Sequence, residues 1–259
     1  MFDKLDLTKE KIYKITSHKQ FKPEGCFKKE TIDECFNFAW DMTFGGIGEQ
    51  RNNRSGGDKH RREAEIFINV FQGKLAEFGT CNIFRRNGKI KLDDPDLERF
   101  KLGEWDRFDF LYNNLKFSVK STSHFGNLLL LETKDWTDEG KYIPNNEIYD
   151  YHILFRIKPK SIPEKPFDPD AKGLLRSKGI LDKDSINKEY LYSIISSVKW
   201  EFEMTGYITN DDLKEIIHNK YIIPKGAFLN TKNTIMDAEN FYIQSTNLRY
   251  YNKIFEEIK

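Results

Sequence analysis

Apolar positions recur along this chain with two different periods, and the change of period divides it into elements. From Lys28 to Phe44, Ile32, Cys35, Phe36, Phe38 and Ala39 return at helical spacing and predict a helix. A longer helix is predicted from about Asp58 to Phe84, where Ile66, Phe67, Val70, Phe71, Leu75 and Phe78 form an apolar stripe. The stretch between, "GGIGEQRNNRSGGDKH", is a loop by composition. After a polar segment containing Asp94-Pro95, the pattern shortens to strands. In "FDFLYNNLKFSVKST", Phe108 to Thr122, two apolar-rich runs flank Asn113-Asn114, a pair suited to the two positive-φ positions of a tight hairpin. Counting outward sets Tyr112 opposite Leu115, Leu111 opposite Lys116, Phe110 opposite Phe117 and Asp109 opposite Ser118. Alternation then puts Asp109, Ser118 and Lys120 on one face, with Phe110, Phe117 and Val119 turned to the core.

"NLLLLETKDW" and "YDYHILFRIKP" predict buried strands, being short apolar runs rich in β-favouring residues. Pro159 to Pro169 holds four of the eight prolines and predicts a loop. "YSIISSVKWEFEMTGYIT" predicts one or two further strands, "NDDLKEIIHNKY" a short capped helix, and "FYIQSTNLR" a last strand. The expected fold is α/β or α+β, a mixed central β-sheet flanked by helices. Residues 1–259 are expected to form a single domain with a core at about 58–158. Residues 159–189 are expected to be a Pro-rich excursion, and 190–259 to complete the fold or serve recognition of a nucleic acid.

Composition narrows the function classes. Charged residues are 32% of the chain but balanced, with a net charge of +1, which excludes a uniformly basic coat and leaves room for a locally basic groove. No run of eighteen apolar residues predicts a membrane span, and the charged N-terminus does not read as a signal peptide. Cys26, Cys35 and Cys81 form no CxxC pair, and His18, His60, His124, His152 and His218 lack metal-ligand spacing, which fits a cytoplasmic protein. The Gly45-Gly46-Ile47-Gly48 cluster lacks a preceding strand and the spacing of a phosphate-binding loop, and Cys81 has no ordered base.

A carboxylate, a serine and a lysine on one hairpin face are costly on an inner strand unless paired or metal-bound. The simplest reading is an Asp109–Lys120 cross-strand salt bridge on a solvated face, contributing about 0.5 kcal/mol. Two further carboxylates weigh against it: Glu132, directly after four leucines, and Glu77, on the long helix one turn beyond Gly73, where the helix is expected to approach the sheet.

The order helix Glu, hairpin Asp, then a tripeptide ending in Lys resembles the PD-(D/E)XK nuclease superfamily, whose largest enzyme group is the type II restriction endonucleases. The resemblance spans roughly residues 60–158 and implies a restriction-endonuclease-like core. Glu77 matches the helix acid, Asp109 the hairpin acid, and Ser118-Val119-Lys120 the tripeptide. Phe108 stands where the motif has proline, and Ser118 where it has an acid; a subgroup with Ser-x-Lys recruits a glutamate from elsewhere. Glu132, twelve residues past Lys120, is the candidate for that acid, and Pro95-Asp96 is a poorer match to the hairpin motif. The resemblance implies Mg²⁺ held by Asp109, Glu132 and the Val119 carbonyl, with Glu77 at a second metal or anchoring Lys120, and Lys120 orienting the attacking water. It also implies 5′-phosphate and 3′-hydroxyl products, double-stranded DNA as substrate and a homodimer with one site per chain.

For DNA contacts, "RNNRSGGDKHRR" carries five Lys/Arg against one Asp, a local net charge of +4, and offers Arg51, Asn52, Asn53, Arg54, Lys59, Arg61 and Arg62. "KSTSHFGN" offers Ser121, Thr122, Ser123 and His124 from a loop expected to leave the strand just beyond Lys120. Two competing functions remain: a repair or recombination nuclease on the same site, and a non-catalytic DNA-binding protein on a degenerate nuclease fold.

Overall fold

The computed structural model of the protein describes residues 2–45, 62–97, 109–165, 168–183 and 185–258. Helix α1 (Lys29–Thr43) forms where Ile32, Cys35, Phe36, Ala39 and Met42 make one buried stripe. Helix α2 (Glu63–Ile83) starts later than expected and runs into a wide turn over Phe84–Gly88, which Lys89 closes at φ 54°. The hairpin follows as β1 (Phe110–Tyr112) and β2 (Leu115–Ser123), then come β3 (Leu128–Glu132) and β4 (Tyr151–Ser161). Beyond β4 lie α3 (Ala171–Ser177), α4 (Lys188–Ser196), β5 (Val198–Thr209), α5 (Asn210–His218) and β6 (Asn240–Gln244).

The central sheet is mixed, with the two-residue strand Gly25–Cys26 at one edge followed by β5, β4, β2 and β1. Only β2 and β4 run parallel; the other pairs are antiparallel. Asn113 and Asn114 take φ of 50° and 64°, and the register Tyr112–Leu115, Leu111–Lys116, Phe110–Phe117 is the one the turn predicts. Alternation along β4 divides the interior. Ile153, Phe155 and Ile157 join Phe67, Phe71 and Leu75 of α2 in the helix-side core, while Leu154 joins a second core. That second core lies under another sheet, ordered Ile222–Ile223, β6, β3, and under α5. The fold is thus α+β, a mixed central sheet with helices on one face and a smaller sheet with one helix on the other. No described helix is long and apolar enough to cross a membrane.

Three expectations are corrected. Pro159 lies inside β4, and residues 159–189 are no excursion, because Ala171, Leu175 and Ile180 are fully buried in the helix-side core. Tyr192–Ser196 ends a helix rather than starting a strand: Asn187 caps α4 by accepting the Tyr190 N–H at 2.8 Å, and Leu191, Ile194 and Ile195 fall on one buried face. Gly73 does not touch the sheet; Gly79 does, with a Cβ built there meeting Phe155 Cζ at 2.4 Å.

One buried ion pair ties β4 to β5. Arg156, with no exposed surface, donates to both carboxylate oxygens of its register partner Glu203 and to the carbonyls of Lys19 and Gln20. Glu203 also accepts the Lys22 N–H at 3.1 Å, so the segment 19–22 is laced onto this face of the sheet.

Candidate active site

Asp109 sits at the mouth of the hairpin, where the ladder changes character. Phe110 pairs with Phe117, yet the Asp109 N–H donates to the same Phe117 carbonyl at 3.2 Å, so two residues lie against one. The expected Asp109–Ser118 pairing is replaced by a bulge. Its cause is the carboxylate itself, which accepts the Val119 N–H at 2.5 Å in the place a strand carbonyl would occupy. In a β-strand the N–H and C=O of one residue point the same way, so the Val119 carbonyl faces the edge where Asp109 stands.

The opposite side of β2 carries the polar residues. Ser118, 3% exposed, is the register partner of His152, which is fully buried between the rings of Trp136 and Tyr149 at 5.0 and 5.8 Å. Among the described residues neither His152 nitrogen has a hydrogen-bond partner. Burial, helped by the charge of Lys120, holds its pKa down at about 3, so the ring is neutral. Burial also raises the Tyr149 phenol, with a smaller contribution from the charge of Asp109.

Lys120, in register with Leu154, borders a cavity of 360 Å³ between the two sheets. Glu132, Asp237 and Asn240 line its other wall. β3 does not join the central sheet: it pairs with β6, and Glu132 faces Asn240 in register. The amine and the carboxylate nevertheless border one space. Asp237, in the bend before β6, and Asn240 were missed because the pairing that brings them here spans over a hundred residues and leaves no local signal. Asp109 is outside this lining, along the edge of the same strand.

Glu77 is corrected out of the site. It forms an ion pair with Lys74 at 2.7 Å, both side chains largely buried, and its charge acts on Cys35 of α1. Lys74 in turn donates to the Asp96 carbonyl at 2.6 Å and lies over the Phe38 ring, so the pair belongs to the helical layer, across the central sheet from Lys120. Cys81 is buried and its thiol is pushed up to about 12, foremost by burial, which suits a structural role.

No group of three or more His, Cys, Asp or Glu side chains able to hold a metal occurs among the described residues. Two carboxylates and an amide line the cavity, and Mg²⁺ characteristically takes one or two carboxylates and keeps several waters, so the residues present fit that ion.

Of the DNA-contact candidates, Arg51, Asn52, Asn53, Arg54, Lys59 and Arg61 lie outside the described residues. Arg62 precedes α2, donates to the Asp182 carbonyl and sits 3.6 Å from its carboxylate. Ser121, Thr122 and Ser123 are corrected from a loop to β2 itself, where they wall a second cleft. His124 starts the loop, packed edge-on against Phe21 and Phe125, with its pKa lowered foremost by burial. No protein-family model matches the chain, and searches of curated proteins and of solved structures likewise find no match.

Proposed function

We propose that the chain is a Mg²⁺-dependent endonuclease of the type II restriction kind, acting in the cytoplasm as a homodimer on a specific sequence of double-stranded DNA. One observation carries the reading: the Lys120 amine and the Glu132 carboxylate, from different sheets, border a single cavity beside the strand whose edge Asp109 clasps. Glu132 and Asp237 would hold the metal, with waters and the substrate phosphate completing its shell, while Asp109 and the Val119 carbonyl stand along the strand edge beside that lining. When bound, that ion polarises the phosphate and stabilises the departing 3′-oxygen. Lys120 orients the attacking water and offsets the charge that builds on the phosphoryl oxygens. Ser118 is too enclosed to act on substrate and instead seals the floor against His152.

One observation favours a second reading, a DNA-binding module without catalysis: Asp109 already spends an oxygen on the Val119 N–H, and Ser118 brings no charge. Digestion separates the two. Plasmid and mixed-sequence DNA are incubated with the wild type in Mg²⁺ and in EDTA, alongside Lys120→Ala and Glu132→Gln. The nuclease reading expects discrete fragments with 5′-phosphate ends in Mg²⁺ only, and a loss of cutting of at least 100-fold in both variants with DNA binding retained. Absence of Mg²⁺-dependent cutting by the wild type, or undiminished cutting by Lys120→Ala, overturns it.

A further inference from the structure

The Lys120 cavity lies on the side of the central sheet where Leu154, the register partner of Lys120, enters the second core. A small four-stranded sheet packs on that same core. It is built from Asp6–Leu7, Ile12–Lys14, Phe228–Leu229 and Thr231–Ile235, with Tyr13 and Leu229 set against the buried cluster. All five residues of its last strand, Thr231-Lys232-Asn233-Thr234-Ile235, are exposed. A strand that builds a core buries every second side chain, so this one projects from the sheet on both faces. It is nevertheless firmly held. Asn230, at φ 58°, turns the hairpin; its N–H donates to the Tyr13 carbonyl at 2.8 Å, and its side-chain oxygen accepts the Ile15 N–H at 3.0 Å. At the base the Gly226 N–H donates to the Met236 carbonyl at 2.7 Å, and the Met236 N–H to the Ala227 carbonyl at 2.9 Å.

Charge says what such a ribbon is for. Segments 4–14 and 225–236 carry six exposed lysines against Asp6 and Glu10, a net charge of +4 in a chain whose total is +1. Lys232 pairs with Glu10 at 2.8 Å, which brings the Lys9–Lys11 turn beside the exposed strand. Both partners of that pair are more than half exposed, so it contributes little to stability and leaves the patch basic. A basic patch selects a polyanion, and edge-to-edge pairing with a second copy would set lysine-rich strands against each other. Thr231, Asn233 and Thr234 add hydrogen-bonding groups, and Ile235, 60% exposed, adds an apolar contact. A two-stranded ribbon with these side chains matches the DNA major groove, which admits that width and offers base edges and the thymine methyl group. Two residues past Ile235 the chain reaches Asp237 in the wall of the Lys120 cavity, a span of about 7 Å. We infer that the hairpin 226–236 docks in the major groove of the DNA whose phosphate lies at Lys120, with Lys232 on the backbone and Asn233 at a base edge. This inference rests on the nuclease reading and names the surface by which that site takes its substrate.

The test uses the full chain, with thermal melts confirming that each variant folds. Fluorescence anisotropy in EDTA, over a series of salt concentrations, measures binding of a labelled random-sequence duplex pool. The wild type is compared with Lys232→Glu, Asn233→Ala and Lys178→Glu, the last a control just past α3 on the helix side of the sheet. Protection of guanine N7 from dimethyl sulfate, on the sequence the wild type selects from that pool, reads occupancy of the major groove. Lys232→Glu is expected to bind about tenfold more weakly or worse, with the salt slope lowered by about 1 or more. Asn233→Ala is expected to keep the slope and lose sequence selection, and Lys178→Glu to match the wild type. Unchanged affinity and slope in folded Lys232→Glu, an equal loss in Lys178→Glu, or an unprotected major groove overturns the inference and leaves a solvated edge strand only. If the wild type still cuts in Mg²⁺ in that case, the nuclease reading stands without the ribbon. If the wild type binds through Lys232 but never cuts, the nuclease reading fails and the ribbon stands.

Discussion

Two glycines on α2 provide a test with opposite signs from one kind of substitution. Gly→Ala inside a helix gains about 1 kcal/mol, because alanine restricts the unfolded chain and glycine does not. At Gly73 a Cβ would meet nothing within 4 Å, so Gly73→Ala is expected to stabilise by about 0.5–1 kcal/mol. At Gly79 the same Cβ would lie 2.4 and 2.6 Å from Phe155 Cζ and Cε1 and 3.3 Å from Phe27 Cζ, where ordinary contact begins at 3.4 Å. The Phe155 ring must retreat by about 1 Å. It has no exposed surface, and the Phe202 ring stands 5.8 Å behind it, itself held 4.6 Å from the Phe27 ring. Overpacking of this kind costs about 1–3 kcal/mol, which meets or exceeds the propensity gain. The two variants should therefore differ by about 1–3 kcal/mol, or roughly 3–10 °C in melting temperature for a chain of this size. Thermal melts followed by circular dichroism measure this directly. If Gly79→Ala melts at or above Gly73→Ala, the close approach of α2 to β4 is wrong.

Two further predictions concern the buried polar groups. Arg156→Met alone strands the Glu203 carboxylate, which is 3% exposed, and should cost about 3–5 kcal/mol, whereas Arg156→Met with Glu203→Leu should recover most of that loss; urea titration checks it, and a single-variant loss under about 1 kcal/mol would contradict the pairing. His152 stays neutral in the fold, with its pKa held down at about 3, while the unfolded chain protonates near 6.5. Its contribution is therefore complete above pH 6.5 and is lost as pH falls from there toward 3. His152→Leu should flatten that part of the stability profile between pH 7 and 4, and equal losses in wild type and variant would show that the ring is not shielded.

How much the sequence carried depended on the range of the interaction. The hairpin was legible because Asn113-Asn114 and a two-residue period act over four to ten positions, and the three pairs nearest the turn came out as counted. α5 was legible for the same reason: Thr209 and Asp212 form a reciprocal cap within one turn. Failures came where distant chain decided. β3 pairs with β6, over a hundred residues on, so nothing in "LLLLE" announced that it leaves the central sheet. α4 hid its helical spacing under Ile194 and Ile195, whose branched side chains favour strands, and only packing against the helix-side core settles the matter. Glu77 was placed at the site by motif order, but its fate was set by Lys74, three residues away on the same helix. Asp109, Lys120 and Glu132 stood out in the sequence as charged groups among apolar runs, but the bulge that turns Asp109 along the strand edge comes from a side chain imitating a ladder partner, which no local pattern shows.

The walls of the Lys120–Glu132 cavity belong to different sheets, and the short loop 124–127 leads from one to the other. The gap between amine and carboxylate is therefore set by core packing between the sheets, where Leu128, Leu129 and Leu154 share one cluster. Trimming any of these leucines would reset the aperture from inside the protein while leaving every charged group in place.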